Sequence, residues 1–332
     1  MRPPYYILLL ITLLGCSYDP KEDFDRDKVF PEVVSLSEFE ETAFLPTLET
    51  AFDPKINGIY SASLVLAWNE IRKVLSEPIV NINSKELQEI DNSQSYKGVL
   101  ADHEFHSSIE VDDSTLRAKV FFKKSLPFII PLEKHADPIS FLTEDVLSFG
   151  FKGPNKAADI IYYADDADFA IRLIPKDTNH EIILIKSYFK GPSSFREEID
   201  RLEKSKIDFE NNKNESNHWR YYFNDQDYVS IPIIAFHIET NYTETEGTKF
   251  STKSKEYFIE TMYQRTAFVL NEKGAEIESA AEITATEEME EDLPKPKKMV
   301  FNKAYLILLK RKDCPLPYFT MYVANTELMQ LN

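Results

Sequence analysis

The chain has 332 residues, 43% of them apolar, which suffices to bury a sizeable core in one large domain or two modest ones. Its 56 Asp+Glu against 38 Lys+Arg leave a formal net charge of −18, an acidity that argues against binding nucleic-acid phosphates. Two cysteines exclude a disulfide scaffold and a multi-cysteine zinc site, and 8 glycines without a cluster argue against a phosphate-cradling loop.

The first element in chain order is an address. Met1-Arg2-Pro3-Pro4 precedes an apolar run from Tyr5 to Leu14 that stops at Gly15-Cys16, the parts of a secretory signal and too short to span a membrane. Leu13-Leu14-Gly15-Cys16 resembles the bacterial lipobox, with Leu14 bulkier than the small residue usual there. The resemblance implies cleavage after residue 15, lipidation of Cys16, and anchoring on a membrane by lipid alone. Residues 16–30 then read as a tether, with Asp19, Glu22, Asp23, Asp25 and Asp27 in a stretch too polar to fold. An acidic tether in that place resembles the export signal of surface lipoproteins, so the expected location is the bacterial outer membrane or cell surface. Residues 31–332 are expected to form the folded domain.

From Ile56 to Ile71 apolar residues recur at helical spacing and predict a buried helix around Leu64, Val65, Ala67 and Trp68. Residues 76–115 are polar and carry no clear period. Beyond them strands are predicted at Leu116–Phe122, Asp159–Tyr163, Phe169–Ile174, Glu181–Ile185, Tyr228–Thr240, Thr266–Asn271, Ala304–Lys310 and Tyr318–Val323. Ser194–Lys206 reads as an amphipathic helix with Phe195, Ile199 and Leu202 inward and Ser193 or Ser194 as its cap. Many strands with few helices predict an α+β domain.

No constellation of catalytic residues emerges, and the chain is not expected to be an enzyme. His103 and His106 stand at i and i+3, not at the i, i+4 spacing of a helical metal pair, and no metal or cofactor is expected. Tyr163–Asp168 is rich in aspartate but lacks the central Gly and closing Glu of a calcium loop. Gly191-Pro192-Ser193-Ser194 lacks the second glycine of a nucleophile elbow. Cys314 reads as part of a strand connection.

The most informative stretch is 266–325. After the predicted strand, Glu272-Lys273-Gly274 bends the chain, and a period of two follows. Ala275, Ile277, Ser279, Ala281, Ile283 and Ala285 share one face; Glu276, Glu278, Ala280, Glu282, Thr284 and Thr286 share the other. That is the pattern of a strand buried on one side. It leads directly into Glu287-Glu288-Met289-Glu290-Glu291-Asp292 and Leu293-Pro294-Lys295-Pro296, where prolines and lysines predict an exposed loop. Between Glu276 and Asp292 stand eight acidic residues and no basic one.

Here the chain resembles the serpin family of serine protease inhibitors. Phe268 to Glu276 is similar to the fifth strand of the large serpin sheet and the hinge of the reactive-centre loop. Met299–Leu308 resembles the strand that follows that loop, and Pro317–Asn325 the closing strand, with Met321 and Thr326 replacing the family's usual glycine and proline. Asp168–Pro175 with Ile182–Ile185, Val229–Pro232 with Phe236–Thr240, and Ala118–Lys123 are similar to further serpin strands, in the family's order. Only 47 residues, 69 to 115, stand where serpins place several helices and two strands, so part of that set must be missing.

The resemblance implies a mixed large sheet, a smaller sheet or barrel, a reduced set of helices, and a reactive-loop segment over 272–300. Its hinge would be Glu272, Lys273, Gly274, Ala275, Glu276 and Ile277; its scissile bond would fall among Glu287, Glu288, Met289, Glu290, Glu291, Asp292 and Leu293. Bulky Ile277 would pack inward, and overpacking costs about 1–3 kcal/mol. The implied partner is a serine or cysteine protease that cuts the loop, which then enters the large sheet as a strand; the acidic loop points to a basic recognition face. The alternative is a serpin-fold surface lipoprotein that no longer inserts its loop and serves as a binding or scaffold protein.

Overall fold

A computed structural model describes residues 30–112, 115–189, 192–275 and 295–332. Cys16 and the acidic part of the tether, Glu276 and Ile277 of the hinge, and the cleavage candidates Glu287–Leu293 lie outside these residues.

In chain order the elements that matter are β1 (Val34–Ser35), β2 (Thr42–Phe44), β3 (Asn57–Ser61), α1 (Ser63–Val74), α2 (Lys85–Asn92), β4 (His106–Asp112), β5 (Thr115–Phe121), β6 (Leu126–Pro127), β7 (Glu133–Lys134), β8 (Ser148–Lys152), β9 (Ala158–Asp165), β10 (Asp168–Leu173), β11 (His180–Lys186), α3 (Phe195–Asn211), β12 (Tyr228–Pro232), β13 (Ile234–Asn241), β14 (Tyr263–Leu270), β15 (Gly274–Ala275), β16 (Lys298–Val300), β17 (Tyr305–Arg311) and β18 (Pro317–Val323). The architecture is α+β, as expected, with mixed sheets and few helices.

The largest sheet has seven strands in the order β9-β10-β11-β17-β18-β3-β2. Its register aligns one row of apolar side chains across every strand: Ile160, Ile171, Leu184, Ile307, Met321, Ile59 and Phe44. From Ile171 through Ile59 that row has no solvent exposure, so the sheet is the spine of the core. Met321, where the family pattern has a glycine, fits because its unbranched side chain is buried between Ile307 and Ile59. A second sheet runs β16-β12-β8-β7, a third β1-β13-β14, and β4-β5 form a hairpin of their own.

Two sequence expectations change. Residues 57–61 are not helix but a strand with every side chain buried, and the helix begins only at Ser63 and runs on to Val74. A continuous apolar run fits a buried strand as well as a helix, and periodicity cannot separate them. The stretch expected as one strand from Tyr228 to Thr240 is two strands in different sheets, split at Ile233 after Pro232, whose nitrogen cannot donate to a ladder. Ser194 caps α3 as expected: its Oγ accepts from Glu197 N (3.2 Å) while the Glu197 carboxylate accepts from Ser194 N (2.9 Å).

Candidate functional site

The expected hinge begins where β14 ends. Asn271 and Gly274 exchange backbone hydrogen bonds of 3.2 Å, and Asn271 Oδ1 accepts from Lys273 N at 2.9 Å, so the chain reverses within four residues. Gly274 stands at φ +134°, and a Cβ there would lie 2.5 Å from the Leu126 carbonyl oxygen and 2.6 Å from Pro127 Cα. Only glycine fits that approach. The reversed chain then pairs antiparallel with β6, Gly274 opposite Pro127 and buried Ala275 opposite Leu126. Phe128 N and Leu132 N donate to the carbonyls of Lys273 and Glu272, at 3.0 and 2.8 Å. Glu272, Lys273, Gly274 and Ala275 of the expected hinge are thus brought together in one pinned turn.

Below that turn, β5 and β14 do not pair with each other. Among the described residues β5 is hydrogen-bonded only to β4, and β14 only to β13. Between them runs a slot whose wider part is a cavity of about 300 Å³, lined by Val120 and Phe121 of β5, Met262 and Gln264 near β14, and Trp68 and Ile71 of α1. A second hollow, of about 90 Å³, continues it toward the hinge between Val120–Lys124 and Arg265–Phe268, with Phe319 and Phe30 also in its wall. Trp68 is held against the body by its Nε1–H, which donates to Asp91 Oδ1 at 2.8 Å. At the far end Arg117 and Glu260, which also line the cavity, form a loose ion pair of 3.6 Å.

The hairpin that forms one wall is fixed at its base by a single carboxylate. Glu104, just before β4, accepts from Lys124, which follows β5, and from His180 Nε2 (2.8 Å), Arg311 Nη1 (3.1 Å) and Ala101 N (2.7 Å). Burial works to raise the Glu104 pKa, but the Ala101 N–H, Lys124 and His180 outweigh it and bring it down to about 2. Burial, with Lys124 nearby, lowers the His180 pKa despite Glu104, which keeps the imidazole neutral. His103 and His106, by contrast, are exposed, and no group of three His, Cys, Asp or Glu among the described residues could hold a metal ion.

The chain is anchored again just past the Leu293–Pro296 run. The Lys297 side chain has no solvent exposure and its Nζ sits 2.6 Å from Asp227 Oδ2, itself 1% exposed. Lys297 Nζ also donates to the Trp219 carbonyl (2.8 Å) and lies over the Trp219 and Tyr163 rings. Next to it Lys298 N donates to Asp166 Oδ1 (2.8 Å), and β16 then pairs parallel with β12. The aspartate-rich turn 163–168 therefore supports the loop's end. Cys314 is buried, its Sγ 3.6 Å from the Lys97 carbonyl oxygen.

Sequence reasoning found both strands that flank the slot and the bend at Glu272–Gly274, while the alternating segment from Glu276 onward lies outside the described residues. It missed the slot itself, the Glu104 pin and the Lys297–Asp227 anchor, each made by residues far apart in the chain.

No family model and no curated protein matches the chain. Among solved structures it is similar to thyroxine-binding globulin in complex with thyroxine, with 13% identity and a TM-score of 0.38 over 63% of this chain and 56% of that one. It is also similar to Serpin48 of the insect Tenebrio molitor, with 13% identity and a TM-score of 0.36 over 81% of this chain and 74% of that one. The chain thus spans little more than half the length of the first of these structures.

Proposed function

We propose that this protein is a serpin-like protease inhibitor, held on a bacterial membrane surface by lipid at Cys16, whose loop is cut within Glu287–Leu293 and then enters the slot between β5 and β14. The observation that carries the reading is the β15 turn: Gly274 and Ala275 already run antiparallel to β6, above two strands, β5 and β14, that do not pair with each other.

Extending the two observed pairings gives the register of the inserted strand. From Ala275 opposite Leu126, Ser279 meets Phe122, Ala281 meets Val120 and Ile283 meets Ala118. From Gly274 opposite Asn271, Ile277 meets Phe268, Ser279 meets Thr266 and Ala281 meets Gln264. Phe268, Thr266 and Gln264 are buried, and Ala118, Val120 and Phe122 pack against the core, so the walls ask for an apolar or small residue at Ser279, Ala281 and Ile283, while Ile277 falls between Phe268 and Lys124. That is the face the sequence offers. On the outer face Glu278 falls opposite Lys123 and Glu282 opposite Lys119, pairs that favour this register over a slip by one. The alternation ends at Ala285, opposite Glu260 of one wall and Leu116 of the other, where the slot itself ends.

Insertion stabilises the cleaved chain through new ladder hydrogen bonds, about 0.5–1.5 kcal/mol each, and through burial of Ile277 and Ile283, about 2–3 kcal/mol each. A protease still esterified to the loop is carried along and its active site distorted. The test is to clip the loop with an endoprotease and to incubate the intact chain with serine and cysteine proteases. A large rise in melting temperature after the clip, with an SDS-stable complex, supports inhibition. Clean cleavage with no rise refutes it.

The Arg117–Glu260 pair across the end of the slot favours a second reading, in which the sheet stays closed there and the protein binds partners without inserting its loop. A clip that leaves stability unchanged selects that reading.

A further inference from the structure

The geometry points to a ligand site between β5 and β14: the intact protein binds a single-chain carboxylate of about ten carbons, its tail along α1 and its head at the helix N-terminus. This site needs no insertion of the loop. Its floor is one face of α1, where Ser63, Leu64, Ala67, Trp68 and Ile71 line the wider cavity at helical spacing. That stretch of helix is about 12 Å long. The polar atoms along it are already spent. Trp68 Nε1 donates to Asp91 Oδ1 (2.8 Å), Gln264 Nε2 donates to Thr266 Oγ1 (3.3 Å), and Gln264 Oε1 accepts from the Tyr242 hydroxyl (2.7 Å). Water entering there finds few partners, so the cavity of about 300 Å³ favours an apolar guest. At about 30 Å³ for each water-sized group, it holds about ten of them.

The narrower hollow adjoins this cavity, since Ser63, Val120, Phe121 and Arg265 line both. Here the chemistry changes. α1 begins at Ser63 with Ala62 as its cap, so no cap side chain accepts from its first turn, and no acidic residue stands in that turn. The positive end of the helix is therefore unanswered at the wall of the hollow. Tyr318 of β18 forms another part of that wall; it is 1% exposed, and its hydroxyl has no hydrogen-bond partner among the described residues. The Ser61 and Ser63 hydroxyls in the same wall hold each other only at 3.4 Å. Lys123, Lys124 and Arg265 line the hollow too, whereas no Asp or Glu among the described residues does, in a chain of formal net charge −18. Lys124 gives Glu104 one of the three donors of its ammonium group. A carboxylate head answers the helix end, the Tyr318 hydroxyl and these cations together, which an uncharged head does not.

The test is calorimetric titration of the full-length protein, its loop uncut and Cys16 replaced by Ser so that no detergent is needed, with decanoate, decanol and acetate. Decanoate should bind with a Kd of about 100 µM or tighter, decanol at least about tenfold more weakly, and acetate not measurably. Tyr318→Phe deletes only the unpartnered hydroxyl, so the unliganded protein should keep its melting temperature. Its affinity for decanoate should fall about three- to tenfold while that for decanol stays the same. Ala67→Phe fills the tail site and should abolish binding, with Ala67→Leu as a milder filler if that chain does not fold. No binding of decanoate at about 1 mM overturns the site. Equal affinity for decanoate and decanol, or an unchanged Kd in Tyr318→Phe, overturns the placement of the head. Binding that survives undiminished in the Ala67 variants is adsorption elsewhere and overturns the placement of the tail.

Discussion

Replacing Asp227 by Asn should destabilise the protein more than almost any other single polar substitution. Asp227 is 1% exposed and Lys297 not at all, and their charges stand 2.6 Å apart. Without the carboxylate the Lys297 ammonium keeps the Trp219 carbonyl and two ring faces, which do not replace a counter-ion. Asp227 also accepts from Lys297 N and Asn224 N, each at 2.7 Å, so an amide would turn an NH2 toward at least one donor. Removing one partner of a buried pair costs about 3–5 kcal/mol, because the other charge stays behind in a place where water cannot reach it. At roughly 2 °C per kcal/mol for a chain of this size, the melting temperature falls by about 6–10 °C. The assay is urea unfolding followed by tryptophan fluorescence for the parent, Asp227→Asn, Lys297→Met and the double variant. The double variant removes both charges and should recover to within about 1.5 kcal/mol of the parent. A cost below about 1 kcal/mol for Asp227→Asn, or a double variant no better than the single, would refute a desolvated anchor at the end of the loop.

Gly274→Ala places a Cβ against the Leu126 carbonyl at a φ that side chains avoid, so it should cost about 2–4 kcal/mol and expose the hinge to proteolysis; a stability unchanged within about 0.5 kcal/mol would mean the turn does not seat there. Glu104 is held at a pKa of about 2, so its contribution is complete above the ordinary value of 4.5 and is lost as pH falls from 4.5 toward 2. Acid titration of the parent should therefore show a loss of about 2–3 kcal/mol in that window that Glu104→Gln, already weaker at neutral pH, does not show. Ser194→Ala removes the capping oxygen of α3 and should cost about 1 kcal/mol by chemical denaturation, with Ser194→Asp close to the parent.

How legible the fold was depended on how local its causes are. β10, β11, β17 and β18 are runs of branched and aromatic residues bounded by turn formers, and the sequence places each within a residue or two. α2 went unseen because only Leu87 and Ile90 of its eight residues are buried, too few to set a period, although Ser84 is a visible cap. Nothing local marks Lys297 as buried, because Pro-Lys-Pro-Lys-Lys is the composition of a solvated loop and its aspartate partner stands 70 residues earlier, in an equally polar run. The alternation of 275–285 could be read directly from the residues, but that β5 and β14 do not pair with each other is visible only in the folded chain. Phe30 and His237 lie 207 positions apart, and only the folded chain brings them into contact.

The central claim is that the cut loop becomes a strand of the slot. The direct measurement is the melting temperature of the full-length protein before and after a single cut within Glu287–Leu293, with the two fragments still associated. Insertion over 275–285 predicts a rise of at least about 10 °C, together with loss of solvent exchange at the amides of Arg265 and Ala267, which point away from β13 toward the slot. A cut chain that melts at or below the temperature of the intact one, with those amides exchanging as before, contradicts it.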